Sequence, residues 1–253
     1  MNNQNPYATP DAELRNTSTT GGAGGNIEDA IAGNIEISMT GTMGEAWRQL
    51  KGFKTPCLLA GLLYFALAIV ANFISYPIIF GLAAAGVDGT SAGIIGWVIQ
   101  MAISVVILPV FVGIHILGMR HAEQKSTTAT AIFGYFNRVP TLFLCYFIMI
   151  ILIMLGSILL VIPGIYLMFA YMFSLVLVVE KNMPAWRALE TSRKALTRVW
   201  FRFFGLVFLL GIINMLGIFT IFIAWIWTIP WSVLTMSMVY TKLFGAEPQT
   251  LAD

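Results

Sequence analysis

Charge is what this sequence has least of: 10% of its residues are Asp, Glu, Lys or Arg, where an ordinary soluble domain carries about a quarter. The deficit is concentrated. Residues 139–179 and 203–241 contain no charged side chain, and Asp88 is the sole one in residues 55–119. These runs also lack the polar stripe that a helix on a soluble core turns to water, which excludes a soluble helical domain. Histidine and cysteine are scarce, two of each, too few for a disulfide framework or a Cys/His zinc site. Cys57 and Cys145 sit near span ends expected to face the reducing cytoplasm, so no disulfide is expected. The first 40 residues have no apolar core of a secretory signal, so the chain is expected to enter the membrane through its first apolar run.

What is present instead is hydrocarbon. Apolar residues make up 58% of the chain, and the mean hydropathy is +0.83. A helix rises about 1.5 Å per residue and crosses a core of about 30 Å in about 20 residues. Each of the three uncharged blocks is therefore long enough for two spans. They fall at about 57–82, 94–119, 140–162, 164–180, 203–220 and 223–242. The expected fold is all-α: a polytopic membrane bundle of six transmembrane helices arranged as three hairpins. The first hairpin turns in the Gly-rich GVDGTSAG, the second at Ile162, Pro163 and Gly164, and the third within residues 217–224. Residues 1–41, with TSTTGGAGG at their centre, read as a disordered cytoplasmic tail. Residues 42–245 form the transmembrane domain and 246–253 a short cytoplasmic tail.

Three related segments, EAWRQLKGFKTP, AIFGYFNRVP and PAWRALETSRKALTRVWFRF, each stand directly before an odd-numbered span. They predict a short interfacial amphipathic helix ahead of each hairpin. Thr42 and Glu45 have the capping-box spacing for the first of them. In the third, helical winding puts Leu189, Ser192, Leu196, Val199, Trp200 and Phe203 on one side and Arg187, Lys194 and Arg198 on the other. Such a helix would rest its apolar face on the acyl boundary and its cations on lipid phosphates. The candidate contacts for lipid headgroups or a partner are Arg48, Lys51, Lys54, Arg138, Arg187, Lys194, Arg198 and Arg202. Nucleic acid is not expected, because anionic lipid competes for the same cations and the net charge is only +2.

All 14 Lys and Arg fall in the two tails or the two connectors after even-numbered spans. The positive-inside rule then places both termini in the cytoplasm. Ionisable or strongly polar residues within the spans are few, namely Asn72, Gln100, His115 and Asn214. Asn72 and Gln100 are expected to pair as amides across the first hairpin, and His115 to lie near enough to the cytoplasmic edge to be solvated. No two carboxylates, and no nucleophile with a base, share a membrane depth, so catalysis is not expected. His115, His121 and Glu123 come nearest to a metal cluster, but the two histidines do not share a helix face, so neither a metal nor another cofactor is expected. Pro109 and Pro230 predict kinks at matching depth in the second and sixth spans.

Residues 109–245, with IPGIYLMFAYMFSLVLVVE, PAWRALETSRKALTRVWFRFFGLVFLL and TIPWSVLTMSMVYTKLFG, resemble a widespread group of uncharacterised bacterial multi-pass proteins. That group is similar to the membrane domain attached to some glycerophosphodiester phosphodiesterases. The shared pattern is the Ile-Pro-Gly turn, an acid ending the aromatic span (Glu180), an Ala-Leu-x-x-Ser helix (Ala188, Leu189, Ser192) and a basic lead into the next span. The resemblance implies a bacterial inner-membrane protein and supplies no catalytic residue. The expected role is a scaffold, assembly or regulatory factor that contacts the bilayer or a membrane-protein partner. The alternative is a passive carrier of a lipid or weakly polar molecule. The two differ in one observable: a carrier needs a cavity lined by the intramembrane polar residues, whereas a scaffold buries them between helices.

Overall fold

The computed structural model describes residues 24–251, all-helical in fold; expectations for residues 1–23 lie outside the described residues. Among the described residues, five helices are long and apolar enough to cross a membrane: Lys54–Ala84, Gly89–Ala122, Ala129–Leu159, Val161–Glu180 and Trp200–Phe219. They fit a multi-pass membrane protein. The helices are α1 (Ile27–Ala32), α2 (Met39–Gln49), α3 (Lys54–Ala84), α4 (Gly89–Ala122), a 3-10 helix (Ala129–Arg138), α5 (Val139–Leu159), α6 (Val161–Ala170), α7 (Ser174–Glu180), α8 (Ala185–Arg198), α9 (Trp200–Phe219), α10 (Trp225–Phe244) and α11 (Pro248–Leu251). α10 is as long as α9 but is not one of the five, because Thr228, Ser232, Thr235, Ser237 and Thr241 dilute its apolar character. Ser232, Thr235, Ser237 and Thr241 each donate to the carbonyl four residues back, so these four hydroxyls are satisfied within the enclosed helix, while Thr228 Oγ1 is buried without a partner among the described residues.

The segment expected to be a disordered tail is ordered from Gly24 on. Asn26 accepts from Asp29 N at 2.8 Å to cap α1, Gly33 closes it at φ 85°, and Ala30 and Ile37 are buried. Gly25 N donates to Thr241 O at 3.0 Å, and a Cβ at Gly25 would meet Leu243 O at 2.7 Å. Glycine there permits backbone-to-backbone approach and not only flexibility. The expected capping box is also corrected: Ser38 is the N-cap of α2, Thr42 is buried inside that helix, and Glu45 pairs with Lys242. At the other end, Ala246 is 1% exposed and Leu251 packs partly on the core, while Pro248 and Gln249 are exposed.

The second hairpin turns earlier than expected. α5 ends at Leu159, Leu160 alone is extended, and α6 begins at Val161. Pro163 therefore sits in the first turn of the returning helix, where it has no donor to lose. Gly164 packs on Ser157, with a would-be Cβ 2.9 Å from Ser157 Cα. Residues 171–173 interrupt this strand of the hairpin before α7. In the third hairpin the turn is Thr220–Ala224, with Ile221 and Phe222 at positive φ, inside the expected window. The segment expected as the second interfacial α-helix is a 3-10 helix, drawn onto α4 where a Cβ at Gly113 would come within 2.7 Å of Ile132 Cα.

Burial is strongly uneven along the helices. α1, α2, α8 and the adjoining ends of α3, α4, α7 and α10 form a packed base, with Phe53, Leu117, Met119, Leu177, Leu196 and Val239 almost wholly enclosed. Contacts from Lys242 to Glu45, His121 to Gln49 and Arg198 to Ile31 join its parts. Toward the far ends, Phe73, Phe80, Ile94, Ile158, Ile162, Phe219 and Ile221 are exposed.

Candidate functional site

A groove of about 450 Å³ runs between the α3–α4 hairpin and α5–α7. α3 contributes Tyr64, Ala68 and Asn72, α4 contributes Gln100, Ser104 and Phe111, and α5 contributes Tyr146 and Met149. Met168, Tyr171 and Met172 come from the broken α6–α7 segment. The groove exists because α3 makes its main contacts with α4, α10 and the 3-10 helix and none of comparable extent with α5–α7. The opposite face of the same hairpin bears a second groove, walled by Leu67, Val70, Ala71, Ala102, Val106, Phe133 and Phe136. That wall carries no polar side chain; the first carries six.

The four polar residues expected inside the spans divide between packing and groove. Asn214 Nδ2 donates to Leu210 O at 2.8 Å and to Ser232 Oγ at 2.7 Å, joining α9 to α10. His115 is half-buried; its Nδ1 is sealed without a hydrogen-bond partner among the described residues, and its ring meets Phe111 edge-on at 5.2 Å. The expected amide pair does not form, because Asn72 donates to Ala68 O in its own helix at 2.7 Å. Asn72 and Gln100 instead line the same groove. His121, one of the three residues that come nearest to a metal cluster in sequence, bonds Gln49 O through Nε2 at 2.8 Å and packs on Phe53 at 5.0 Å.

At the break in the α6–α7 segment the chain must satisfy a freed carbonyl. Ser192 Oγ donates to Ala170 O at 2.8 Å and is fully buried. That bond gives the serine of the Ala-Leu-x-x-Ser pattern a role that winding α8 could not reveal. It also corrects the expected bilayer contact of α8. Leu189, Ser192 and Leu196 are covered by protein, and the helix packs on α1, α5, α6 and α7.

The basic candidates spread around the base. Arg48, Lys51, Arg187, Lys194, Arg198 and Arg202 are exposed, while Lys54 and Arg138 are half-buried. Lys54 lies 5.4 Å from the Trp227 ring centroid, Lys194 lies 3.2 Å from Glu190, and Arg198 Nε donates to Ile31 O at 3.1 Å. Hydrogen bonds from Arg193 hold Glu190 below the usual carboxylate range.

The sequence singled out Glu180 as the acid ending the aromatic span but not the polar centre built on it. Glu180 accepts from Tyr240 Oη at 2.8 Å and from Glu247 N, with Lys181 Nζ at 3.6 Å and itself bonded to Glu247 at 2.9 Å. The Glu180 side chain is 0% exposed. Its place at the end of an uncharged run was the available signal, but the donors come from 60 and 67 residues away. It fastens the segment after α10 to the end of α7. No family model matches the chain, and neither a curated protein nor a solved structure matches it significantly.

Proposed function

We propose that the chain is a six-span bacterial inner-membrane protein, basic base and both termini in the cytoplasm, that holds a lipid or other weakly polar molecule in the groove as a passive carrier. The observation that carries this reading is the pair Asn72 and Gln100 on the wall of one cavity of about 450 Å³, within the usual range of ligand sites, about 300–1,000 Å³. Two of the four intramembrane polar residues thus meet the condition set for a carrier. The other two are absorbed by packing.

The sixth span is supported by α10, whose 20 residues extend about 30 Å. The cytoplasmic base is supported by the distribution of Lys and Arg, and the bacterial inner membrane by the resemblance of residues 109–245. A reporter fused after Ala85 is expected to be silent in the cytosol; activity there would overturn the six-span topology. The carrier reading is tested by purifying the full chain and the N72L/Q100L variant from the same membranes and identifying the retained lipids by mass spectrometry. An amphiphile enriched on the wild type and lost from the variant is expected, whereas identical lipid profiles would sink the reading.

The exposed Arg48, Lys51, Arg187 and Arg202 at the base favour a second role, as a scaffold for a membrane-protein partner or anionic lipid. A partner that copurifies with the wild type and is lost from an R48E/K51E/R187E variant would favour it.

A further inference from the structure

We infer that the occupant of the groove is an amphiphile with an uncharged head carrying ester or carbonyl oxygens, and not a phosphate-bearing lipid. This rests on the reading of the groove as a binding site. No residue that lines it is charged. By helix rise, Tyr64 and Asn72 stand about 15 and 27 Å along α3 from Lys54, and Ser104 about 24 Å along α4 from Arg120. Arg193, whose charge reaches Tyr171, is already bound by Glu190 at 2.9 Å. A phosphate brought to this depth would be stripped of water with no counter-charge to meet it, the situation membrane interiors penalise most.

The polar groups that are present suit a neutral acceptor. The hydroxyls of Tyr64 and Tyr146 make no hydrogen bond among the described residues, and each can donate one bond. Asn72 has committed one amide hydrogen to Ala68 O and keeps the other. Ser104 has committed its hydroxyl hydrogen to Gln100 O at 2.8 Å. What remains is a set of donors, with the Asn72 and Gln100 amide oxygens as acceptors beside them, at the edge of an apolar channel formed by Ile103, Ile107 and Met149, matched by an ester or carbonyl head with hydrocarbon behind it.

The test uses the full chain in detergent, with native mass spectrometry as the readout. Two probes of equal chain length differ only in the head: dioctanoylglycerol and dioctanoylphosphatidylglycerol. Dioctanoylglycerol is expected to bind at least about tenfold more tightly, about 1.4 kcal/mol, and to lose that advantage in N72L/Q100L and in Y64F/Y146F. Asn72 is half-buried and Gln100 exposed, so the variants should keep the wild-type melting temperature, measured alongside. If phosphatidylglycerol binds as well or better and the variants weaken it, the ligand class is wrong while the groove stands. If neither probe responds to the variants, the groove reading falls, and this inference with it.

Discussion

α3 and α10 are both long helices, of 31 and 20 residues, yet they solve opposite problems. α3 is strongly apolar, and only 12% of its most hydrophobic window is buried in protein; Phe65, Phe73, Tyr76 and Phe80 face outward. α10 carries a ladder of hydroxyls, and from Leu234 to Thr241 every residue is buried. In water the more buried helix would be the more apolar one. Here the relation is reversed, because the solvent of α3 is hydrocarbon and the solvent of α10 is the rest of the protein. The reversal belongs to this pair: α4, as apolar as α3, has 50% of its most hydrophobic window buried.

The comparison is broken or sharpened by perturbing each side. The largest effect is expected for Glu180→Leu, which strips Tyr240, Glu247 N and Lys181 of their shared acceptor. A loss of about 3 kcal/mol is expected from breaking a buried charged network, read as a lowered thermal unfolding midpoint in detergent. Gly118→Val drives a side chain into Ser237, whose Cβ lies 2.9 Å from a would-be Cβ, and should cost about 2 kcal/mol by overpacking α4 against α10. Ser192→Ala leaves the Ala170 carbonyl without its partner and should cost about 1 kcal/mol, with faster amide exchange around residues 171–174. Phe73→Ala on α3, 80% exposed, should change stability by no more than about 0.5 kcal/mol. A cost there as large as that of Gly118→Val would show α3 to be packed against something in the membrane.

The smallest effect concerns the far loop. Asp88 caps α4, accepting from Thr90 N and Ser91 N at 3.1 and 3.0 Å, and bonds from the Ser91 side chain and backbone hold its carboxyl below the usual range. A depressed folded-state pKa means the cap stabilises the helix above the unfolded pKa and weakens as pH falls through the folded one. Amide exchange at Thr90 and Ser91 should therefore rise on acidification in the wild type, and Asp88→Asn should remove that dependence.

Much of the architecture was legible from charge and hydropathy, since a run without charge has few alternatives to a helix in lipid. α3, α4 and α9 extend two to five residues beyond the expected spans at most ends, because hydropathy marks the lipid-facing part while polar first and last turns continue the helix. α1 was invisible: six residues are too few to show a helical period, and they are ordered by docking on α8 and α10, not by propensity. The capping box misled because two candidate hydroxyls, Ser38 and Thr42, stand four apart, and only packing decides which one starts the helix. Asn72 and Gln100 were identified as the polar residues of the first hairpin, but their pairing was wrong. An asparagine in a helix can satisfy itself on the carbonyl a turn back, and sequence spacing does not weigh that option.

The linear order of residues by itself determined that the chain is helical, how many apolar runs it has and that its cations gather at one end. Those follow from solvation, which acts on each segment separately. Tertiary structure alone decided that Ser192 closes a broken helix, that Glu180 fastens the chain's end to the bundle, and that two amides face a cavity and not each other. Each of these depends on groups distant in sequence or on a choice between competing hydrogen bonds, and only the packing of whole helices settles which partner is within reach.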